Sequence, residues 1–199
     1  MTGLRARDLT DFHDSRHALA GWAKSAAAGE RDALWQAIEA NHRCNCLLWD
    51  EEDLARRRHV ADAEIANNKR AIDGYNQKRN DAIERIDEQL LNFFSAIKIK
   101  PEARLNSETP GAMIDRLSIL SLKIHHMRLQ TQRTGVASAH IENCLAKLDR
   151  LHEQRTDLAA CLDRLLADAA RGAASFKVYR QFKMYNDPAL NPAIYGEKH

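Results

Sequence analysis

The sequence predicts an all-α fold: an antiparallel bundle of about five long amphipathic helices with a short helical and turn-rich C-terminal tail. Three observations predict it. Apolar residues recur at steps of three, four and seven along most of the chain, the period of a helix with one buried face. Gly and Pro are scarce, at 8 and 4 of 199 residues, and all-β folds need many turns built from them. Hydrophobic residues make up 44% and charged residues 29%, which is enough apolar surface for a core and enough charge for solvated faces.

The first helix is expected over about residues 7–27, where Leu9, Phe12, Leu19, Trp22, Ala23 and Ala26 share one face. Gly29 allows a break, and Glu30, Arg31 and Asp32 open a second helix. Its stripe of Leu34, Ile38, Leu48 and Trp49 is interrupted on the inward side by Asn41 and Asn45. Two amides on a buried face are costly unless partners meet them. The third helix, about residues 61–98, carries Ile65, Ile72, Tyr75, Ile83, Ile86, Leu90, Phe93 and Ile97 as an a/d-like seam, with Arg79 as its polar exception. Gly74 in that seam costs roughly 1 kcal/mol against Ala and would permit a close helix crossing. Residues 98–109, with Pro101, read as a connecting loop.

Thr109 as N-cap and Pro110 at the first helical position start a fourth helix, running to about residue 132. Met113, Leu117, Leu120, Ile124 and Met127 stripe it, and Gly135 breaks the chain after it. The fifth helix, about residues 137–171, carries Ile141, Leu145, Leu148, Leu162, Leu165 and Leu166, with Gly172 as its C-terminal cap. Beyond it, Ser175 to Tyr185 reads as one more short helix, and Asn186-Asp187-Pro188 through Asn191-Pro192 as turns. No repeat or internal boundary is visible, so residues 1–199 read as one domain, with the tail from about residue 173 packing on it.

Several function classes are excluded. Thirty basic against 28 acidic side chains leave a formal charge of +2, with no electrostatic footprint for nucleic acid. No apolar run approaches the roughly 18 residues of a membrane span. The N-terminal stretch lacks a signal-like apolar segment, and Cys44, Cys46, Cys144 and Cys161 are irregularly spaced. A cytoplasmic protein with reduced thiols and no disulfide is expected. No P-loop, Gly-rich dinucleotide turn or Ser-His-Asp pattern occurs. A di-iron bundle needs Glu-x-x-His on two helices, and only Glu39 to His42 fits. His13 and His17 lack the zincin glutamate, and Cys44-Asn45-Cys46 alone is a weak signal. No metal and no cofactor are expected.

Three constellations could carry chemistry. On the third helix Lys69, Asp73, Asn76, Asn80, Glu84 and Asp87 form a second stripe, about 100° around from the apolar seam. It is either a solvated face or part of a groove or buried polar network, and Asp73, Asn76 and Asn80 are expected to face Glu52 and Arg56. In the second constellation, Trp49 precedes Asp50, Glu51, Glu52 and Asp53, with Glu52 and Arg56 at ion-pair spacing. Trp49 is either one side of a ligand pocket or a core anchor. In the third, Glu108, Thr109, Pro110 and Gly111 are followed by Asp115, Arg116, Lys123, His125 and His126. A helix start with a Gly and two cations along one face suits an anion or acid–base work. Glu108 could instead fill that position as an internal capping anion.

The same stretches resemble a bacterial family catalogued as domain of unknown function four-two-five-four, from about residue 34 onward. The resemblance rests on Asn45 to Trp49 with Glu52 to Arg56, and on Lys69 to Asp73 with Asn76, Arg79, Asn80 and Asp81. It continues through Leu105 to Gly111, Asp115 to Leu120 and Lys123, then Lys183 to Pro188 and Asn191-Pro192. Ala112 stands where the family is expected to have Ser. Members tend to be encoded near lipopolysaccharide and other glycosyl-transfer genes, which implies a role in surface-glycan synthesis and names no catalytic residue. Two readings follow. One is a site, enzymatic or not, for a phosphorylated sugar or nucleotide-sugar, closed by Lys183, Tyr185 and Asn186. The other is a non-catalytic accessory protein that docks on a glycosyltransferase or pairs with itself as a homodimer. A chorismate-mutase-like helical enzyme is a third and weaker reading, suggested only by Arg and Asp along a long helix.

Overall fold

The computed structural model describes residues 3–26, 32–182, 184, 187–192 and 196. Its described elements are five α-helices, one 3-10 turn and two very short strands. The helices are α1 (Ala6–His17), α2 (Ala33–Leu54), α3 (Asp62–Phe94), α4 (Pro110–Thr131) and α5 (Ser138–Ala170). The strands are β1 (Arg104–Leu105) and β2 (Ala174–Ser175). The fold is an all-α bundle. α2 packs on α3 and α4 on α5, each across a short connection that forces an antiparallel hairpin, and α1 covers α4. Leu9, Ile38, Ile86, Leu90, Ile114, Leu117, Leu162 and Leu165 are fully buried, so every helix contributes to one core.

Local chemistry sets the ends. The Asp32 carboxylate accepts the Trp35 N–H at 2.8 Å, and Thr109 Oγ1 accepts the Ala112 N–H at 3.2 Å; both are side-chain N-caps. Gly172, with φ +68, ends α5 in the left-handed region, and Ala173 donates back to the Asp168 carbonyl at 2.8 Å. The expected break at Gly29 and the helix-opening residues Glu30 and Arg31 lie outside the described residues.

Three expectations are corrected. α1 stops at His17, not near residue 27, because the chain turns at Gly21 (φ +70) and a 3-10 turn at Trp22–Lys24 tucks the indole against Phe12. Leu19, assigned to the buried face, is exposed. Secondly, the expected tail helix does not form over its described residues up to 182. Gly172, Ala174 and Phe176 are buried in alternation, the period of a strand, and β2 pairs in parallel with β1, Arg104 beside Ala174. The stretch read as a plain loop therefore contains the partner strand. Thirdly, the close helix crossing is at Gly111 and not at Gly74, which is exposed with open space around it.

At Gly111 a Cβ would stand 2.6 Å from the Ile83 carbonyl oxygen and 2.8 Å from Asp87 Oδ1. α4 can thus approach α3 this closely only through a residue without a side chain. Gly111→Ala is expected to lower stability by about 1–3 kcal/mol through forced separation of the two helices. Urea unfolding reads this, and an unchanged midpoint would overturn it.

All four cysteines are free thiols. Among the described residues no helix is long and apolar enough to cross a membrane.

Candidate functional site

The polar residues that interrupt the apolar stripes meet inside the bundle. Asp115 of α4 is buried, and Arg79 of α3 grips both its oxygens, with Nε 2.7 Å from Oδ1 and a second guanidinium nitrogen on Oδ2. Asn41 and Asn45 of α2 donate to the same Oδ1 at 2.9 and 3.0 Å, and Asn45 also reaches Ser118 Oγ at 2.9 Å. Each residue that looked costly by itself is a partner of the others. The hydrogen bonds to Asp115 push the Arg79 pKa further up, so the guanidinium stays charged.

A histidine cluster adjoins this network through Ser118. His42 Nδ1 lies 2.8 Å from Ser118 Oγ, and His17 Nε2 lies 2.9 Å from Ser121 Oγ. Ser121 donates in turn to Asp14 at 2.7 Å, and Arg155 of α5 holds Asp14 with contacts of 2.7 and 2.9 Å. The His13 ring stands 4.5 Å from His42, the His125 ring 4.7 Å from His17. Burial, reinforced by neighbouring positive charge, drives the His13 pKa down to about 3 and that of His17 to about 4, and holds His42 well below its usual value. All three rings are neutral near pH 7. Burial, with Asp50 nearby, raises the Cys46 thiol to about 12. Ligand atoms of His17, His42 and Cys46 lie within 4.8 Å of one another, the one group among the described residues that could hold a metal ion.

Three hollows line α4 on its other side. The largest, about 730 Å³, lies between α2, α4 and α5, with Trp49, Asp53, Lys123, His126, Lys147 and Arg150 among its lining. Trp49 and His126 stack at 4.3 Å with their planes 11° apart. The second, about 370 Å³, shares Trp49 and Asp53 and adds Asn45, Glu52, Arg56, Asn76 and Arg79. The third, about 610 Å³, shares Lys123 and adds Glu108, Arg116 and Asp157. Trp49 thus separates two recesses, and the Arg79 guanidinium connects the second with the buried network.

A family model described as protein of unknown function, DUF4254, matches residues 35–178. The chain belongs to this family. The match runs from α2 past β2 and leaves α1, with His13 and His17, outside it. No curated protein and no solved structure matches the chain.

Within the DUF4254 segment, Trp49, Glu52, Asp53, Arg56, Asn76, Lys123 and His126 line the first two hollows. Asn80 is half-buried and lines none of the three. The stripe on α3 divides. Lys69 and Asp73 are exposed and pair with each other at 3.1 Å, so the expectation that Asp73 faces Glu52 and Arg56 is corrected. α3 is still packed on α2 here, since Ile72 is buried and Asn68 reaches Glu51 of α2 at 2.7 Å; Asp73 is on its outer side.

The anion site expected at the start of α4 is also corrected. Asp87 of α3 accepts the Gly111 N–H at 2.6 Å, and its carboxylate also takes a hydrogen bond from Thr109. An internal anion, Asp87 and not the suspected Glu108, fills that position. Glu108 pairs instead with Arg116 at 2.5 Å. Thr109 is a buried N-cap. Lys183, Tyr185 and Asn186 lie outside the described residues.

Sequence reasoning missed Lys147, Arg150 and Gln154, which α5 brings to the largest hollow, and the pairing of His42 with Cys46. A signal for the second existed, since His42 and Cys46 are four apart and share one face of α2.

Proposed function

We propose that this DUF4254 chain binds a small anionic molecule with a ring or sugar face, of the phosphorylated-sugar or nucleotide-sugar kind, in the groove between α2, α4 and α5. One observation carries the reading. Lys123, Lys147 and Arg150 stand around a hollow of about 730 Å³ whose charged lining otherwise includes one carboxylate, Asp53, and whose wall is the stacked pair Trp49–His126. Three cations favour phosphate oxygens, and an indole edge with Met127 and Leu151 offers apolar contact for a ring. The neighbouring recess supplies Asn76, Glu52 and Arg56, groups that suit sugar hydroxyls. The sugar identity itself follows from what the family resemblance implies about surface-glycan synthesis.

The test is a calorimetric and thermal-shift screen of sugar phosphates and nucleotide-sugars. A ligand at about a hundred times its dissociation constant should stabilise the fold by roughly 2.7 kcal/mol. Lys147→Ala and Arg150→Ala are exposed-site variants that should remain folded and lose at least tenfold in affinity. No hit across the screen, or hits indifferent to both substitutions, would remove the proposal.

The accessory reading has its own observation. Tyr179, Phe182 and Met184 in the tail are exposed, Phe182 at 86%, and large apolar side chains in a row suit a protein partner, a glycosyltransferase or a second copy.

A further inference from the structure

The contact between α1 and α2 holds chemistry that the groove does not use. His42 and Cys46 project from one face of α2, and the Cys46 sulfur lies 3.9 Å from His42 Nε2. His17, in the last turn of α1, completes a triangle in which all three ligand atoms lie within 4.8 Å of one another. In tetrahedral zinc sites the metal–nitrogen distance is about 2.0–2.1 Å and the metal–sulfur distance about 2.3 Å, so donor atoms stand roughly 3.3–3.6 Å apart. Closing this triangle onto one ion takes shifts of about an ångström, within reach of side-chain rotation.

The outer partners are arranged as such a site needs. A carboxylate only accepts, so the Ser121 hydroxyl donates to Asp14 and must accept from His17 Nε2–H. That fixes the tautomer and leaves the His17 Nδ1 lone pair free. His42 Nδ1 is occupied by Ser118, whose oxygen has lone pairs for both His42 and Asn45, so Nε2 is the nitrogen turned to Cys46. Metal-bound imidazoles characteristically donate their second nitrogen in this way.

The second observation is His13. It is fully buried, both its ring nitrogens lack any hydrogen-bond partner, and its ring lies 4.5 Å from His42. A buried imidazole with no partner is costly.

We propose that His17, His42 and Cys46 form a zinc-binding site that ties α1 to α2, with the unpartnered His13 ring packed beside it. Imidazole nitrogens and one thiolate suit zinc, whereas magnesium and calcium require oxygen ligands. Cys46 binds as thiolate, and its proton passes to water as the ion enters. An ion held by side chains of both α1 and α2 crosslinks the two helices, so the role is structural. The proposal is independent of the groove ligand.

The test uses the full chain, stripped with chelator and titrated with Co²⁺ and then Zn²⁺. The expected result is one ion per chain, visible d–d bands of tetrahedral cobalt, a near-ultraviolet thiolate-to-cobalt band, and displacement of both by zinc. Cys46→Ser should abolish the thiolate band, while Cys44→Ser and Cys161→Ser retain it. His17→Gln should weaken zinc binding at least tenfold. Lys147→Ala and Arg150→Ala, which test the groove, should leave the cobalt spectrum intact. Absence of a cobalt spectrum in the unmodified chain, or a thiolate band that survives Cys46→Ser, would overturn the site.

Discussion

Moving the metal-free protein from pH 7 to pH 5 is expected to remove several kcal/mol of stability, enough to bring a domain of ordinary stability close to unfolding. The cause is the neutral histidine cluster. The His13 pKa is about 3 in the folded chain against 6.5 in the unfolded one. Below pH 6.5 the unfolded chain therefore binds a proton that the folded chain refuses, and stability falls as pH falls. Down to pH 5 the fully buried ring alone contributes about 2 kcal/mol of this loss. His42 and the less buried His17 act in the same direction. The groups that face these rings are Asp14 on α1, Cys46 on α2, His125 and His126 on α4 and Arg155 on α5; Asp14 favours protonation, as does a hydrogen bond from His42 to the His13 backbone. Asp87 works in the opposite sense. Burial raises its carboxyl to about 6, so the folded state takes up that proton readily as the medium acidifies. One carboxyl offsets part of what three imidazoles lose. Urea unfolding at the two pH values measures the balance, and equal stability at both would contradict it.

Asp115→Ala is expected to cost about 3–5 kcal/mol. The change strands the Arg79 guanidinium and the two amides of Asn41 and Asn45, all of which donate to this carboxylate. The discriminating companion is the double variant Arg79→Met, Asp115→Leu. It removes both charges together and should recover a large part of the loss. A single variant as stable as the parent chain, or a double variant no better than the single one, would show that the network does not bear on stability.

Much of the bundle was legible in the sequence because helical periodicity is a local signal. Thr109-Pro110, Asp32 and Gly172 mark helix ends by chemistry confined to a few residues. What could not be read depends on residues far apart. Ser175 and Phe176 look like a helix opening until the partner strand near Arg104 is known. Glu108, next to the helix start, was the legible candidate for an internal anion at α4, and only the approach of α3 puts Asp87 there instead. Trp49, Asp53, Lys123 and His126 were legible as candidates for one recess because polar residues beside an apolar stripe lie at the edge of a helix contact. Lys147 and Arg150 were not, since nothing in the α5 sequence sets them apart from its other exposed charges.

The short β1–β2 pair has a consequence for the order of folding. It joins Arg104 to Ala174, a sequence separation of 70, most of it the α4–α5 hairpin. Helices and their hairpins form from near neighbours, quickly, whereas a contact that closes so long a loop must wait until its ends are brought together. The hairpin has to be assembled before the two strands can meet. Their backbone hydrogen bonds, Arg104 to Ala173 and Asn106 to Ser175, therefore report that α4 and α5 have already docked, and amide protons there are expected to gain protection late in refolding.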